Sequence, residues 1–145
     1  MHKFIVFSVC IVLSGCAGFI KTNEVSSGRA ESVPDERLYA FQERAAGLTR
    51  ITITRDSGFL GGGCYLAIEV DRKLAARIDP AESASFFVPA GYRELSVTSD
   101  PMGRGLCGAA SFTPVRESYE ITTDKVARYR LSLRRYRRPE LEPLN

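Results

Sequence analysis

From Leu48 onward, apolar and polar residues alternate with a period of two, the pattern of strands that bury one face. Ile51 and Ile53 sit between Thr49, Thr52 and Thr54, which predicts a strand over 48–55. Cys64, Leu66, Ile68 and Val70 alternate with Tyr65, Ala67 and Glu69 through 63–70, and Leu74, Ala76 and Ile78 do so around Arg77. Phe86 with Val88, Leu95 with Val97, and Tyr119 with Ile121 mark further strands. Phe112 starts another short run, and Tyr129, Leu131 and Leu133 share one face of the last. Asp71-Arg72-Lys73, Pro80-Ala81-Glu82 and Ala90-Gly91 punctuate these runs as turns. Seven or eight short strands at this spacing predict an antiparallel β-sandwich over residues 34–145, a size suited to one domain.

Before Leu48 the period differs. Leu38, Phe41 and Ala45 fall at i, i+3 and i+7, and Gly47 follows as a stop. Pro34 suits a first helical turn, and Asp35 and Glu36 put negative charge at the positive end of a helix dipole. One short helix docked on the sandwich is expected here. Residues 17–33 are small and polar without sustained periodicity, so they read as a flexible tether with an r.m.s. span of roughly 20–25 Å.

The first residues carry the clearest address. His2 and Lys3 give a basic start, and Phe4 through Leu13 are apolar apart from Ser8. A run of about 10 residues is too short for a spanning helix, which needs about 20; it reads as a signal-peptide core. Leu13-Ser14-Gly15-Cys16 resembles the lipobox of bacterial lipoproteins at all four positions. The resemblance implies a signal peptide over 1–15, cleavage before Cys16, and a lipid anchor on Cys16 that begins a lipidated tether over 16–33. Several acyl chains at ~0.8 kcal/mol per buried methylene hold a protein in a membrane unaided. Ala17, where an Asp would favour inner-membrane retention, implies the outer membrane of a Gram-negative envelope.

Cleavage changes the chemistry. It removes Lys3, leaving 19 Lys+Arg against 17 Asp+Glu, and it removes His2, the only histidine. Without imidazole there is no Ser-His-Asp arrangement and no His-containing zinc site. No catalytic residue, metal or cofactor is expected, and an enzyme is disfavoured. Cys10 leaves with the signal and Cys16 takes lipid, so Cys64 and Cys107 remain as a pair. An oxidising compartment favours a disulfide between them, with two buried free thiols as the alternative. Cys64 is expected to face inward from its strand, and Cys107 to lie in a Gly-rich loop.

Residues 63–98 resemble small β-domains of the PEGA type. Val88-Pro89-Ala90-Gly91-Tyr92 matches their step into an outgoing strand, whereas Asp79-Pro80-Ala81-Glu82 stands near the position of the eponymous motif. The resemblance implies an envelope interaction module with no catalytic residues to carry over.

Two features are candidates for contact. Residues 126–138 hold six arginines and no acid: Arg128, Arg130 and Arg134 on one outer face, then Arg135, Arg137 and Arg138 beyond it. Arginine forks suit phosphates and carboxylates of lipopolysaccharide, headgroups or peptidoglycan. The alternative is a basic edge strand that discourages edge pairing. The compartment argues against nucleic acid. The second feature is the glycine-rich loop around Phe59 and Leu60, either an apolar partner contact or a plain connection between sheets. The expected function is a lipid-tethered accessory or assembly module that binds an envelope protein or anionic polymer. The competing expectation is a small-ligand or inhibitor-binding module on the same anchor, which a deep apolar pocket inside the sandwich would favour.

Overall fold

The computed structural model describes residues 22–58, 63–109, 113–134 and 138–144. The strands are β1 (Glu31–Ser32), β2 (Leu48–Arg55), β3 (Leu66–Val70), β4 (Lys73–Ile78), β5 (Glu82–Pro89), β6 (Gly91–Ser99), β7 (Val115–Ile121), β8 (Ala127–Leu133) and β9 (Pro139–Leu144). They form a five-stranded sheet, β1-β5-β2-β8-β9, and a four-stranded sheet, β4-β3-β6-β7. Pairing is antiparallel except for β1 with β5 and β2 with β8. Phe86, Ile51, Ile53 and Leu131 from one sheet meet Ile68, Ile78, Leu95 and Ile121 from the other in a fully buried core. The expected β-sandwich is the observed fold.

Alternation works best where nothing interrupts it. In β5, Glu82, Ala84, Phe86 and Val88 face inward while Ser83, Ser85 and Phe87 are half-buried on the other side. In β4 it fails at one place. Ile68 pairs with Ala76 and Glu69 with Leu74, so Ala75 is an extra residue in the strand, a β-bulge. The bulge turns Ala75 into the core and moves Leu74 to a half-buried position, which corrects the expected Leu74, Ala76, Ile78 face. The β3–β4 turn has Asp71 and Arg72 at φ 48° and 64°, the two positive values of a tight hairpin turn. The Asp71 carboxylate accepts the Glu94 backbone N–H at 3.0 Å and so anchors this turn to β6.

The expected helix after the tether is confined to a single 3-10 turn at Asp35–Arg37. Beyond it the Tyr39 N–H donates to Ala75 O at 2.8 Å, and Leu38 forms a bridge to Ala76. The open edge of β4 thus takes the chain that a longer helix needs, and Phe41 at φ 62° is incompatible with a helix. Leu38 and Phe41 still pack on the core, but Ala45 is exposed. A four-residue helix, α1 (Leu106–Ala109), precedes β7.

The tether needs a larger correction. Thr22 is buried, Asn23 bridges Ser57, β1 pairs with β5, and Val33 enters the core. From Thr22 onward this stretch is laid against the domain. Another finding is β9, which the sequence pattern did not indicate. Pro139 and Pro143 suit only an edge strand, where missing N–H groups do no harm, and β9 is that edge, with Leu141 buried. The expected strand at Phe112 lies outside the described residues, as do residues 1–21.

The bulge separates two neighbouring substitutions. Ala75→Thr puts a hydroxyl into the core and should lower unfolding free energy by about 1–3 kcal/mol. Leu74→Thr should cost less than about 1 kcal/mol. Urea titration of both variants checks this, and the reverse order contradicts the bulge.

Candidate functional site

The arginine row lies on β8, which the structure places inside the sheet between β2 and β9. The alternative of a basic edge strand is therefore overturned. Its arginines also divide. Arg130 donates from Nε and Nη2 to the two carboxylate oxygens of Asp56 at 3.0 and 2.8 Å, and its Nη1 lies 3.5 Å from Glu24 and 3.8 Å from Glu142. The Asp56 side chain is 1 % exposed and also accepts the Thr22 hydroxyl at 2.8 Å. The hydrogen bond to Asp56 dominates in holding the Arg130 pKa above its ordinary value. Arg134 pairs with Glu140 and reaches Glu142 at 3.5 Å. Arg138 is exposed, and its carbonyl accepts the Arg134 N–H at 2.9 Å to close the β8–β9 connection. Arg135 and Arg137 lie outside the described residues. Arg130 and Arg134 thus serve the fold.

Arg128 is different. Its side chain is exposed and makes no hydrogen bond or ion pair among the described residues. Arg128 is in register with Thr52, and Arg50 stands two residues before Thr52 on the same outer face. Arg50 is likewise exposed and without a side-chain partner among the described residues. Beside them Thr52 and Ser85 share a hydroxyl–hydroxyl bond of 2.9 Å, as do Thr54 and Ser83. Gln42 donates its amide to Ala40 O at 3.0 Å and to Ser85 O at 3.4 Å, and the Arg44 guanidinium stacks 5.3 Å from the Phe87 ring centre. Residues 27–33, the end of the expected tether, form the far wall together with Asp35. A polar groove of about 460 Å³ results.

The sequence reading missed Arg50, Gln42 and the Thr52–Ser85 pair. Arg50 was within reach, because it shares the polar face of the 48–55 alternation. Gln42 was not, because only the irregular path after Phe41 brings it to this face.

Cys64 and Cys107 are joined in a disulfide, with Cα atoms 5.3 Å apart. Free thiols are thereby ruled out. Closing a separation of 43 residues contributes about 4 kcal/mol by restricting the unfolded chain, an entropic account that is model-dependent. Cys64 does not face inward from β3; it stands two residues before it in a half-buried bend, and Cys107 lies on α1. The bend is held by its neighbours. Tyr65 is sandwiched between the guanidiniums of Arg37 at 4.6 Å and Arg77 at 4.8 Å, and buried Arg55 donates to Cys64 O at 3.0 Å. Burial pushes the Arg55 pKa down to about 10, which leaves it cationic at neutral pH. Phe59 and Leu60 lie outside the described residues.

In sequence comparisons no protein-family model matches the chain, and neither does any curated protein. The resemblance of 63–98 to PEGA-type domains therefore rests on its own residues. Among the described residues the buried acids are engaged: Asp56 by Arg130, Glu82 by both nitrogens of Arg37 at 2.7 and 2.5 Å, and Asp100 by Arg77 at 2.7 and 2.6 Å. In each pair two guanidinium nitrogens reach the two oxygens of one carboxylate, so the oxygens are taken up within the fold. No group of three His, Cys, Asp or Glu residues among those described is placed to hold a metal.

Two stability tests follow from the ion pairs. Arg130→Ser leaves Asp56 buried without its cation and should cost roughly 3 kcal/mol or more, while Arg128→Ser should change stability by less than about 0.5 kcal/mol. Denaturant titration of the two variants separates the structural arginine from the free one. Burial pushes the Asp100 carboxyl up, but the Arg77 bond and the Met102 N–H outweigh it and hold its pKa below the ordinary value. A depressed carboxylate stabilises the fold above its unfolded pKa of about 4 and stops doing so as pH falls through the folded value. Thermal unfolding of the wild type should therefore shift down below about pH 4, and Asp100→Asn should flatten that slope.

Proposed function

We propose that the protein is a non-catalytic lipoprotein of the cell envelope, anchored through lipid on Cys16, whose sandwich docks another envelope component. The docking surface is the polar groove on the outer face of the five-stranded sheet. One observation carries this: among the described residues Arg50 and Arg128 are the arginines of that face without a carboxylate, while their neighbours Arg130 and Arg134 are consumed in the fold. Unpaired guanidiniums beside hydroxyls offer planar bidentate donors for phosphate or carboxylate.

The position of Thr22 adds a geometric constraint. Six residue steps separate Cys16 from this buried residue, at most ~20 Å of extended chain. An anchored domain thus works close to its own membrane, nearer than a free tether to residue 33 would allow. The competing idea of a ligand pocket inside the sandwich is weakened by Phe86 and the isoleucines that fill the space between the sheets.

Metabolic labelling with palmitate should mark the wild type and not Cys16→Ser. In-cell crosslinking followed by affinity recovery should yield envelope material that Arg50→Ser/Arg128→Ser loses and Lys125→Ser retains. Equal recovery from all three proteins would dismiss the groove as the docking surface.

A further inference from the structure

The groove has a chemistry more specific than positive charge. Its floor is made of side-chain hydroxyls, and each can donate as well as accept. Ser83 is committed, because its hydroxyl lies 3.4 Å from Ile53 O and 2.9 Å from that of Thr54. Among the described residues the hydroxyls of Thr52 and Ser85 bond only to each other, so that pair keeps one O–H free to donate and several lone pairs free to accept. Gln42, which also lines the groove, spends its amide nitrogen on two backbone carbonyls, and its oxygen keeps acceptor capacity. Phe87 adds a half-buried ring at the wall, already stacked with one flat cation. Among the described residues Arg50 and Arg128 supply guanidinium forks with no internal partner, and Asp35 is the one acid lining the groove.

We infer that this groove binds a saccharide that carries carboxylate or phosphate groups. The inference rests on the docking role of the groove and names its ligand class. Mixed donors and acceptors on the floor match a ligand rich in hydroxyls, which also donates and accepts. The half-buried Phe87 ring offers apolar contact for the C–H groups of a sugar, and the two guanidiniums match its acid groups. Other occupants fit less well. A peptide added as an extra strand would pair along the edge of β1, whereas the hydroxyls and guanidiniums of this groove lie on the face of the sheet over β5, β2 and β8. A lipid tail needs a continuous apolar floor, whereas here Val33 and Ala84 are nearly fully buried and Leu38 and Phe87 are interspersed with serines, Thr52, Gln42 and two arginines.

Calorimetric titration of the full-length protein in nonionic detergent tests this with three probes. Tetragalacturonate presents carboxylates, a glucosamine disaccharide bisphosphate presents phosphates, and cellotetraose presents neither. One acidic saccharide should bind at least about tenfold more tightly than cellotetraose, and which one it is identifies the source of the charge. Arg50→Ser and Arg128→Ser, both at exposed positions, should each weaken that binding by about tenfold. Thr52→Val/Ser85→Ala keeps both guanidiniums and should also weaken it severalfold. Undiminished affinity in this double variant would overturn the saccharide assignment in favour of a bare anion site. No binding of either acidic probe would overturn it too, and crosslinked recovery lost in Arg50→Ser/Arg128→Ser would then leave the docking role standing. Recovery unaffected by those substitutions would end both.

Discussion

Asp56, 2 % exposed at the end of β2, joins parts of the chain that are far apart in sequence. Its carboxylate takes the hydroxyl of Thr22 and both arms of Arg130, its N–H donates to Leu131 O, and its carbonyl accepts from Ala81. The first described residue, the middle of the chain and β8 therefore meet at a single buried anion. Burying that charge is tolerable because Arg130 and the hydroxyl compensate it fully. The arrangement decides which arginines are free. Arg130 must serve Asp56, so the basic character of the outer face falls to Arg128 and Arg50.

The same economy appears elsewhere in the sandwich. Arg37 and Arg77 each hold a buried or nearly buried carboxylate and between them clamp Tyr65, while Arg55 reaches backbone carbonyls from inside the core. A sequence rich in arginine invites an electrostatic interpretation, yet most of these side chains act as crosslinks of short range. What distinguishes the groove is the absence of such use at two adjacent positions.

How far residues disclose structure depends on how local the cause is. The faces of β2, β5, β6, β7 and β8 were legible because strand alternation is a property of neighbours. The Cys64–Cys107 pairing was legible by elimination, on the expectation that Cys10 leaves with a signal peptide and Cys16 takes lipid. Ala75 was not, because a bulge is decided by what the partner strand offers. The short helix shrank because the edge of β4 competes for the same backbone groups. Pro139 and Pro143 disguised β9, and without β9 neither its Glu140 and Glu142 nor the interior place of β8 was visible. The partner of Arg130 lies 74 residues away, beyond any local pattern.

The parallel pairing of β2 with β8 has a consequence for how the molecule comes into being. Residues 51–55 line up with 127–131, so the centre of the larger sheet joins two segments from opposite halves of the chain. Hairpin neighbours such as β3 and β4 can form as soon as they are made, but this ladder must await residues 127–131. Long-range strand pairing of this kind makes folding slow and late. Until β8 arrives, β2 has one bare edge, and Asp56 has neither its guanidinium nor the carbonyl of Leu131. The nascent chain thus stays open and incomplete for most of its synthesis, a condition compatible with being threaded through a membrane before it closes.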